Sequence, residues 1–242
     1  ELLNPIGITT RKIISESKPL LYLYPFKNGS KLEIKQWIYD LCDIHCASRR
    51  EMYFYDHWSM LCEAARQDLE LPQLAWILDQ AEVCGSTKAE VLSYTDFEAF
   101  YSLRFSLDIE KKRWLLEQCK QHGYAAIDVL LASEEGEQPP VFTSYFEEKD
   151  FELSLLEDMW TLAIENNINP AEIYVVDEVY YSFACACELN IEKARWLYEK
   201  SVAAGVEPHD ILFSSDVTRS DDYPLFYQLC DSDNKNLDVL KW

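Results

Sequence analysis

Tryptophan recurs at near-regular intervals along this chain, each time in the same local pattern. Leu or Ile stands five residues before the indole, as in the segments IEKKRWL and IEKARWL. The six tryptophans of this pattern are Trp37, Trp76, Trp114, Trp160, Trp196 and Trp242. Successive members are 39, 38, 46, 36 and 46 residues apart, which is within the range of repeated helical units that stack into a solenoid. The pattern therefore predicts a repeat protein.

Each tryptophan segment is typical of the second helix of a helical hairpin, and an aromatic- or Cys-rich segment before it is typical of the first. In residues 178–205, YYSFACACE predicts one helix, Leu189 and Asn190 a turn, and IEKARWLYEKSV the second helix, which Gly205 ends. Asp108 holds the turn position of the third copy, where a short polar residue suits a tight connection. We expect an all-α fold, an α-solenoid of about six helix-turn-helix repeats over residues 18–242, after an N-terminal lead-in of residues 1–17.

Apolar residues cover more than one stripe of these second helices, as with Leu155, Met159 and Trp160 in the fourth copy. An isolated surface helix has a narrower apolar face. The breadth predicts helices packed between neighbouring repeats, with the tryptophans as core residues rather than as a platform for ligand stacking.

Charge is distributed unevenly along the chain. The net charge is −21, and residues 1–50 carry +3 while residues 51–242 carry −24. A field of this sign repels nucleic-acid phosphates and anionic lipids, so we expect neither a nucleic-acid nor a membrane partner. It favours a basic protein partner, although the acids could also serve only to keep the chain soluble.

Acidic residues form a second repeated column. An acid follows the tryptophan by fourteen residues in four copies and by twelve in the fourth copy. These candidate binding residues are Glu51, Glu90, Asp128, Glu172 and Asp210. Equivalent positions of a solenoid line up in space, so the column predicts a row of carboxylates that could bind a basic peptide. The alternative is that each acid caps a short helical turn.

The segments NIEKARWL, DIEKKRWL and NLDVLKW resemble the second helix of ankyrin repeats, especially the Trp-containing degenerate repeats of some bacterial effectors and of protist or giant-virus proteins. The resemblance covers most of the chain, but the Thr-Pro-Leu-His opening is absent and the unit exceeds the usual length of about 33 residues. It implies stacked helical hairpins with a concave protein-binding face. The alternative is a solenoid of the pentatricopeptide or tetratricopeptide kind, since Gly205 and the following Val-Glu-Pro-His-Asp are similar to the end of a pentatricopeptide unit.

The eight cysteines lack even spacing, and several lie beside aliphatic residues in predicted helices. The pattern predicts reduced, buried thiols at Cys62, Cys119, Cys185 and Cys187. We therefore expect a cytoplasmic protein, or one that acts in the host cytosol if it belongs to a secreted effector.

Two clusters offer reactive chemistry. Cys42, His45, Cys46 and His57 are zinc-ligand types, but their spacing fits no familiar finger. Cys119 and His122 could imitate a nucleophile and its base, although such a one-turn pair is common in helices. With six glycines and no phosphate-loop motif, we expect no catalytic residue, no metal and no small-molecule cofactor.

The function predicted from the sequence is a protein–protein interaction scaffold of ankyrin-like type that engages a basic protein or peptide, as part of a larger bacterial effector. The competing hypothesis is a cysteine-dependent enzyme, or the regulatory repeat region of one. The hypothesis of a regulatory repeat region rests on the two ends of the chain, because it begins without Met and stops at Trp242.

Overall fold

The computed structural model describes residues 50, 53–55, 58–132, 141, 145, 152–170 and 191–208. This part of the chain is mostly helical, as the sequence predicts for an all-α protein. Two strands of two residues each, β1 (Phe54–Tyr55) and β2 (Trp58–Ser59), pair antiparallel ahead of the first helix, with Phe54 opposite Ser59. So short a pair supplies no layer to the core.

Eight helices are described along their whole length. They are α1 (Met60–Arg66), α2 (Leu71–Val83), α3 (Lys88–Leu92), α4 (Glu98–Ser102), α5 (Ile109–Gln121), α6 (Ala126–Leu130), α7 (Leu153–Glu165) and α8 (Ile191–Ala203). None of these helices combines the length and the apolar character that crossing a bilayer requires.

The described residues belong to two compact units. The first holds the residues up to Ala125 together with Ala132, and the second holds Ala126–Leu131 and the residues from Val141 onward. In the first unit α1 packs on α2 and α4, and α5 packs on α3 and α4. In the second unit α6 packs on α7.

Four helices carry the repeated tryptophans, and we call α2, α5, α7 and α8 the repeat helices. Each is 13 residues long. The helix predicted from IEKARWLYEKSV is confirmed as α8, and Asp108 is the N-cap of α5, where its carboxylate accepts the Glu110 amide N–H at 3.0 Å. The lead-in of residues 1–17, Trp37 and Trp242 lie outside the described residues.

All four repeat helices end in the same backbone motif. Two residues past each helix the backbone turns to positive φ, at Gly85 (79°), Gly123 (92°), Asn167 (58°) and Gly205 (93°). The next amide N–H then bonds to the carbonyl five residues earlier, as Tyr124 does to Cys119 at 3.1 Å. This is the Schellman motif, which satisfies carbonyls that the helix end leaves unpaired. Asn167 can replace glycine because asparagine tolerates the left-handed conformation.

Replacing Gly123 with alanine should lower the free energy of unfolding by about 1–2 kcal/mol, the usual cost of a left-handed L-residue. A Cβ at Gly123 would meet no atom within 4 Å, so the loss would come from the backbone alone. Gly123→Asn should lose less, because Asn167 already occupies the equivalent place. Urea unfolding followed by circular dichroism measures both. Equal losses for the two variants would contradict the backbone explanation.

The repeat helices also bury the same positions. The fourth, seventh and eleventh residues of all four helices are buried, which is the spacing of one helical stripe. The eleventh residue is always small: Ala81, Cys119, Ala163 and Ser201. A small residue there lets a neighbouring element approach the helix closely.

Trp160 departs from the register that the sequence suggests. The indole is the sixth residue of α2, α5 and α8, but Trp160 is the eighth residue of α7. A shift of two residues turns a side chain by about 200° around the helix. The tryptophans therefore do not all mark equivalent places, because the turn residues, here Glu152 and Asn167, set the helix ends.

Candidate functional site

Long-range hydrogen bonds of side chains in the first unit join residues about one repeat apart. Within the described part of that unit, such partners are separated by 31 to 43 residues, and the Tyr53 hydroxyl donates to the Ile77 carbonyl 24 residues away. The Tyr124 hydroxyl, for example, lies 3.0 Å from the Ala89 carbonyl and 2.9 Å from the Ser93 hydroxyl. Most of these bonds thus join segments about one tryptophan interval apart.

Glu90, one of the predicted binding acids, holds a guanidinium from its own chain. It is the third residue of α3, and its carboxylate is ion-paired with Arg50. The same Arg50 guanidinium donates to the Gly85 carbonyl at 3.0 Å and to the Ser86 hydroxyl at 2.8 Å. We call the Gly85 carbonyl, the Ser86 hydroxyl and the Glu90 carboxylate the guanidinium site.

The electrostatics of this site suit a cation. The Gly85 carbonyl lies just past the end of α2, where the helix dipole places partial negative charge, and Glu90 adds a full negative charge. The guanidinium carbon of Arg50 also lies 5.4 Å from the centre of the Phe54 ring, within cation–π range. Both Arg50 and Glu90 keep about half of their side-chain surface exposed (50% and 41%), so another molecule could reach this site.

Glu90 does not cap its helix. The Thr87 hydroxyl is the N-cap acceptor of α3 and takes the Glu90 amide N–H at 3.1 Å. The Glu90 side chain is therefore available for an ion pair, in contrast to the capping alternative.

Asp128 has the same local position as Glu90. It is the third residue of α6, in the second unit, and its side chain is exposed. It forms no ion pair with any described residue. Counted from the repeat helices, the column is regular, because Glu90, Asp128, Glu172 and Asp210 each follow the first residue of such a helix by nineteen. Glu51, Glu172 and Asp210 themselves lie outside the described residues.

Cys119 has the surroundings of a core residue. It is 1% exposed, and burial raises the pKa of its thiol to about 12. The His122 Nδ1 atom lies 2.9 Å from the Gln118 carbonyl oxygen. A protonated, buried thiol is a poor nucleophile, and its helix position holds alanine or serine in the other repeats.

Cys62 is equally inert. It is fully buried, and burial, together with the nearby Glu98 carboxylate, raises the pKa of its thiol to about 12. Cys62, Cys84 and Cys119 are all free and buried, so the prediction of buried, unbridged thiols is confirmed at Cys62 and Cys119. Cys185 and Cys187 lie outside the described residues.

In the folded chain, Cys119 should react with iodoacetamide at pH 8 at least about 100-fold more slowly than in urea, because only local opening exposes the thiol. Peptide mapping by mass spectrometry separates it from the other cysteines. The raised pKa of the Cys119 thiol also predicts how the free energy of unfolding changes with pH. Between pH 9 and about 12 the folded chain keeps a thiol proton that the unfolded chain releases, so the free energy of unfolding should fall as pH rises through this window. Fast labelling of native Cys119 would contradict its burial.

Within the described ranges, no cluster of three or more His, Cys, Asp or Glu side chains has the geometry of a metal site. Cys42, His45, Cys46 and His57 all lie outside those ranges, so the zinc alternative stays a sequence hypothesis.

Sequence reasoning missed two features of this site. Arg50 is adjacent to Glu51 in the acidic column, but no sequence pattern connects it with Glu90, forty residues later. The end of α7 at Asn167 could have been found, because aligning Asn167 with Gly85, Gly123 and Gly205 restores the regular spacing of the acids. No protein-family model, no curated protein and no solved structure matches this chain.

Proposed function

We propose that this chain is a protein–protein interaction module that binds a Lys- and Arg-rich segment of another protein through its acidic column. The observation that carries the proposal is the guanidinium site, in which Glu90 and the end of α2 hold the side chain of Arg50. A partner's arginine would make the same bonds in a site of this kind. Asp128, exposed at the equivalent place in the second unit, is a second candidate position.

The architecture that we propose is an α-solenoid of about six helix-turn-helix repeats, of degenerate ankyrin-like type. Three observations support it: the four matching Schellman ends, the shared buried positions of the repeat helices, and hydrogen bonds that span about one repeat. In such an array each repeat contacts its neighbouring repeats, so the acids of successive repeats would form a row.

The setting that we propose is a cytoplasmic one, or the host cytosol if the chain is part of a larger bacterial effector. Buried, unbridged cysteines suit a reducing compartment. The net charge of −21 favours a basic protein over nucleic acid or anionic lipid. Cysteine-dependent catalysis has less support, because burial keeps the Cys62 and Cys119 thiols protonated.

Fluorescence anisotropy with labelled peptides of equal length tests the proposal. An Arg-rich peptide should bind, an Asp-rich one should not, and affinity should fall as salt rises because exposed charges are screened. The double variant Glu90→Gln, Asp128→Asn should weaken binding by about tenfold, the effect of about 1.4 kcal/mol. A control with the same charge change, Glu117→Gln, Glu157→Gln, should bind nearly as the parent does. If the two double variants weakened binding equally, the overall negative charge would account for binding, and not the acidic column. Salt-insensitive binding would contradict the proposal.

A variant at Arg50 sharpens this test. Arg50→Ala empties the guanidinium site, so the Arg-rich peptide should bind more tightly than it does to the parent chain. Weaker binding would mean that Arg50 belongs to the binding surface instead of competing for it.

A further inference from the structure

A pocket of about 340 Å³ lies in the first unit, between the end of α1 and the residues that follow α4. Its volume is at the lower end of the range for small-molecule sites. It is distinct from the guanidinium site, and neither Glu90 nor Asp128 is among the residues that line it.

Two arginines, Arg66 and Arg104, are among the residues that line this pocket. The guanidinium carbon of Arg104 lies 4.0 Å from the centre of the Tyr101 ring and 4.5 Å from that of Phe105. Stacking on aromatic rings fixes the plane of an arginine. A guanidinium held in one plane is prepared for the planar, two-oxygen geometry of a carboxylate.

The acids near the pocket are already engaged. Asp68 accepts from the Lys111 amine at 2.8 Å and from the Ser106 hydroxyl at 2.6 Å. The buried Glu98 carboxylate lies 3.4 Å from Arg66. The carboxylates of Asp68 and Glu98 are thus both paired within the described part of the chain.

A buried hydroxyl in the pocket wall is a further donor. Ser102 lines the pocket and is 7% exposed, and its Oγ atom has no hydrogen-bond partner in the part of the chain that the structure describes. Burying a hydroxyl without a partner is unfavourable, and native proteins satisfy nearly all such groups. An acceptor brought by a ligand would satisfy it.

We propose that this pocket binds a small organic carboxylate. Arg104 meets the carboxylate in the plane set by Tyr101 and Phe105, the Ser102 hydroxyl donates to one of its oxygens, and Phe105 with Ala65 contacts the carbon chain. The site is independent of the acidic column, and it takes a ligand of the opposite charge.

A titration of the full chain by two-dimensional NMR tests this proposal, with glutarate as the probe. Glutarate should cause saturable shifts of the amide signals of residues 102–106. Neutral glutaramide should cause none, and inorganic phosphate should bind at least about tenfold more weakly, because it lacks a planar carboxylate and a carbon chain. Phosphate binding equal to that of glutarate would overturn the carboxylate assignment, and no saturable shift with glutarate would overturn the site.

Variants separate the pocket from general charge effects. Arg104→Gln and Ser102→Ala should each weaken glutarate binding by about tenfold, whereas the control Arg113→Gln, which removes an exposed arginine paired with Glu110, should not. Without ligand, Ser102→Ala should keep or slightly raise the melting temperature, because no hydrogen bond is lost. A melting temperature lowered by several degrees, or unchanged glutarate affinity in Ser102→Ala, would overturn the assignment of this hydroxyl as a ligand donor.

Discussion

Replacing Trp196 with alanine is expected to lower the free energy of unfolding by about 3–5 kcal/mol, the usual cost of truncating a buried tryptophan. Trp196 is 8% exposed, and its ring packs edge to face against Trp160, with the ring centres 5.5 Å apart. The Lys200 amine lies 5.7 Å from the Trp196 ring centre and 5.6 Å from that of Trp160. The variant would leave a cavity and remove both aromatic contacts.

Urea unfolding followed by far-ultraviolet circular dichroism measures this loss without relying on indole fluorescence. Trp114→Ala is the matched control, since Trp114 holds the same helix position in α5 but is only half-buried; its loss should be smaller. A double-mutant cycle with Trp160→Ala should give a coupling energy of about 0.5–1.5 kcal/mol for the ring pair. A coupling near zero would show that the two indoles merely fill separate spaces.

The second large effect is expected at the ion pair between Lys111 and Asp68. Removing the charge of Asp68 should cost more stability than removing the charge of Lys111. The Lys111 side chain is 4% exposed while that of Asp68 is 55% exposed, and their charged atoms are 2.8 Å apart. Asp68→Asn keeps the side-chain shape and tolerates the positive φ of 51°, but it leaves a buried ammonium without its countercharge. We expect a loss of about 2–3 kcal/mol, below the range of about 3–5 for a fully buried pair, because water reaches Asp68.

Lys111→Met is the matched variant. It removes the buried charge and leaves Asp68 in contact with water, so the loss should be below about 1 kcal/mol. Urea unfolding at pH 7 measures both variants. Equal losses, or a larger loss for Lys111→Met, would show that the Lys111 chain matters for packing more than for charge.

Much of the local structure follows from the sequence because its causes are local. Asp108 predicts the start of α5, and Gly205 predicts the end of α8, since a capping carboxylate and a residue of free φ act on their own neighbours. The broad apolar faces of the repeat helices predict helices packed between neighbours, but the buried residues of α2 and of α5 lie on one face of each helix. The number of repeats and the identity of the family stay predictions.

The candidate site was less predictable. Counting from the tryptophans places Glu172 two residues out of line, whereas counting from the helix starts puts it in line, because Trp160 is the residue that is displaced. Sequence spacing also cannot tell which basic residue meets which acid. The pairing of Arg50 with Glu90, and of Lys111 with Asp68, depends on how segments about 40 residues apart pack together.

By itself, the sequence determined a mostly helical chain with a recurring tryptophan pattern, a net charge of −21 and cysteines suited to burial, because helix caps, apolar periodicity and net charge are properties of neighbouring or summed residues. Only the tertiary structure decided which side chains share a site. The guanidinium site and the pocket beside Arg104 each join residues about one repeat apart or from separate helices, and such contacts are set by packing between elements, which no local pattern encodes.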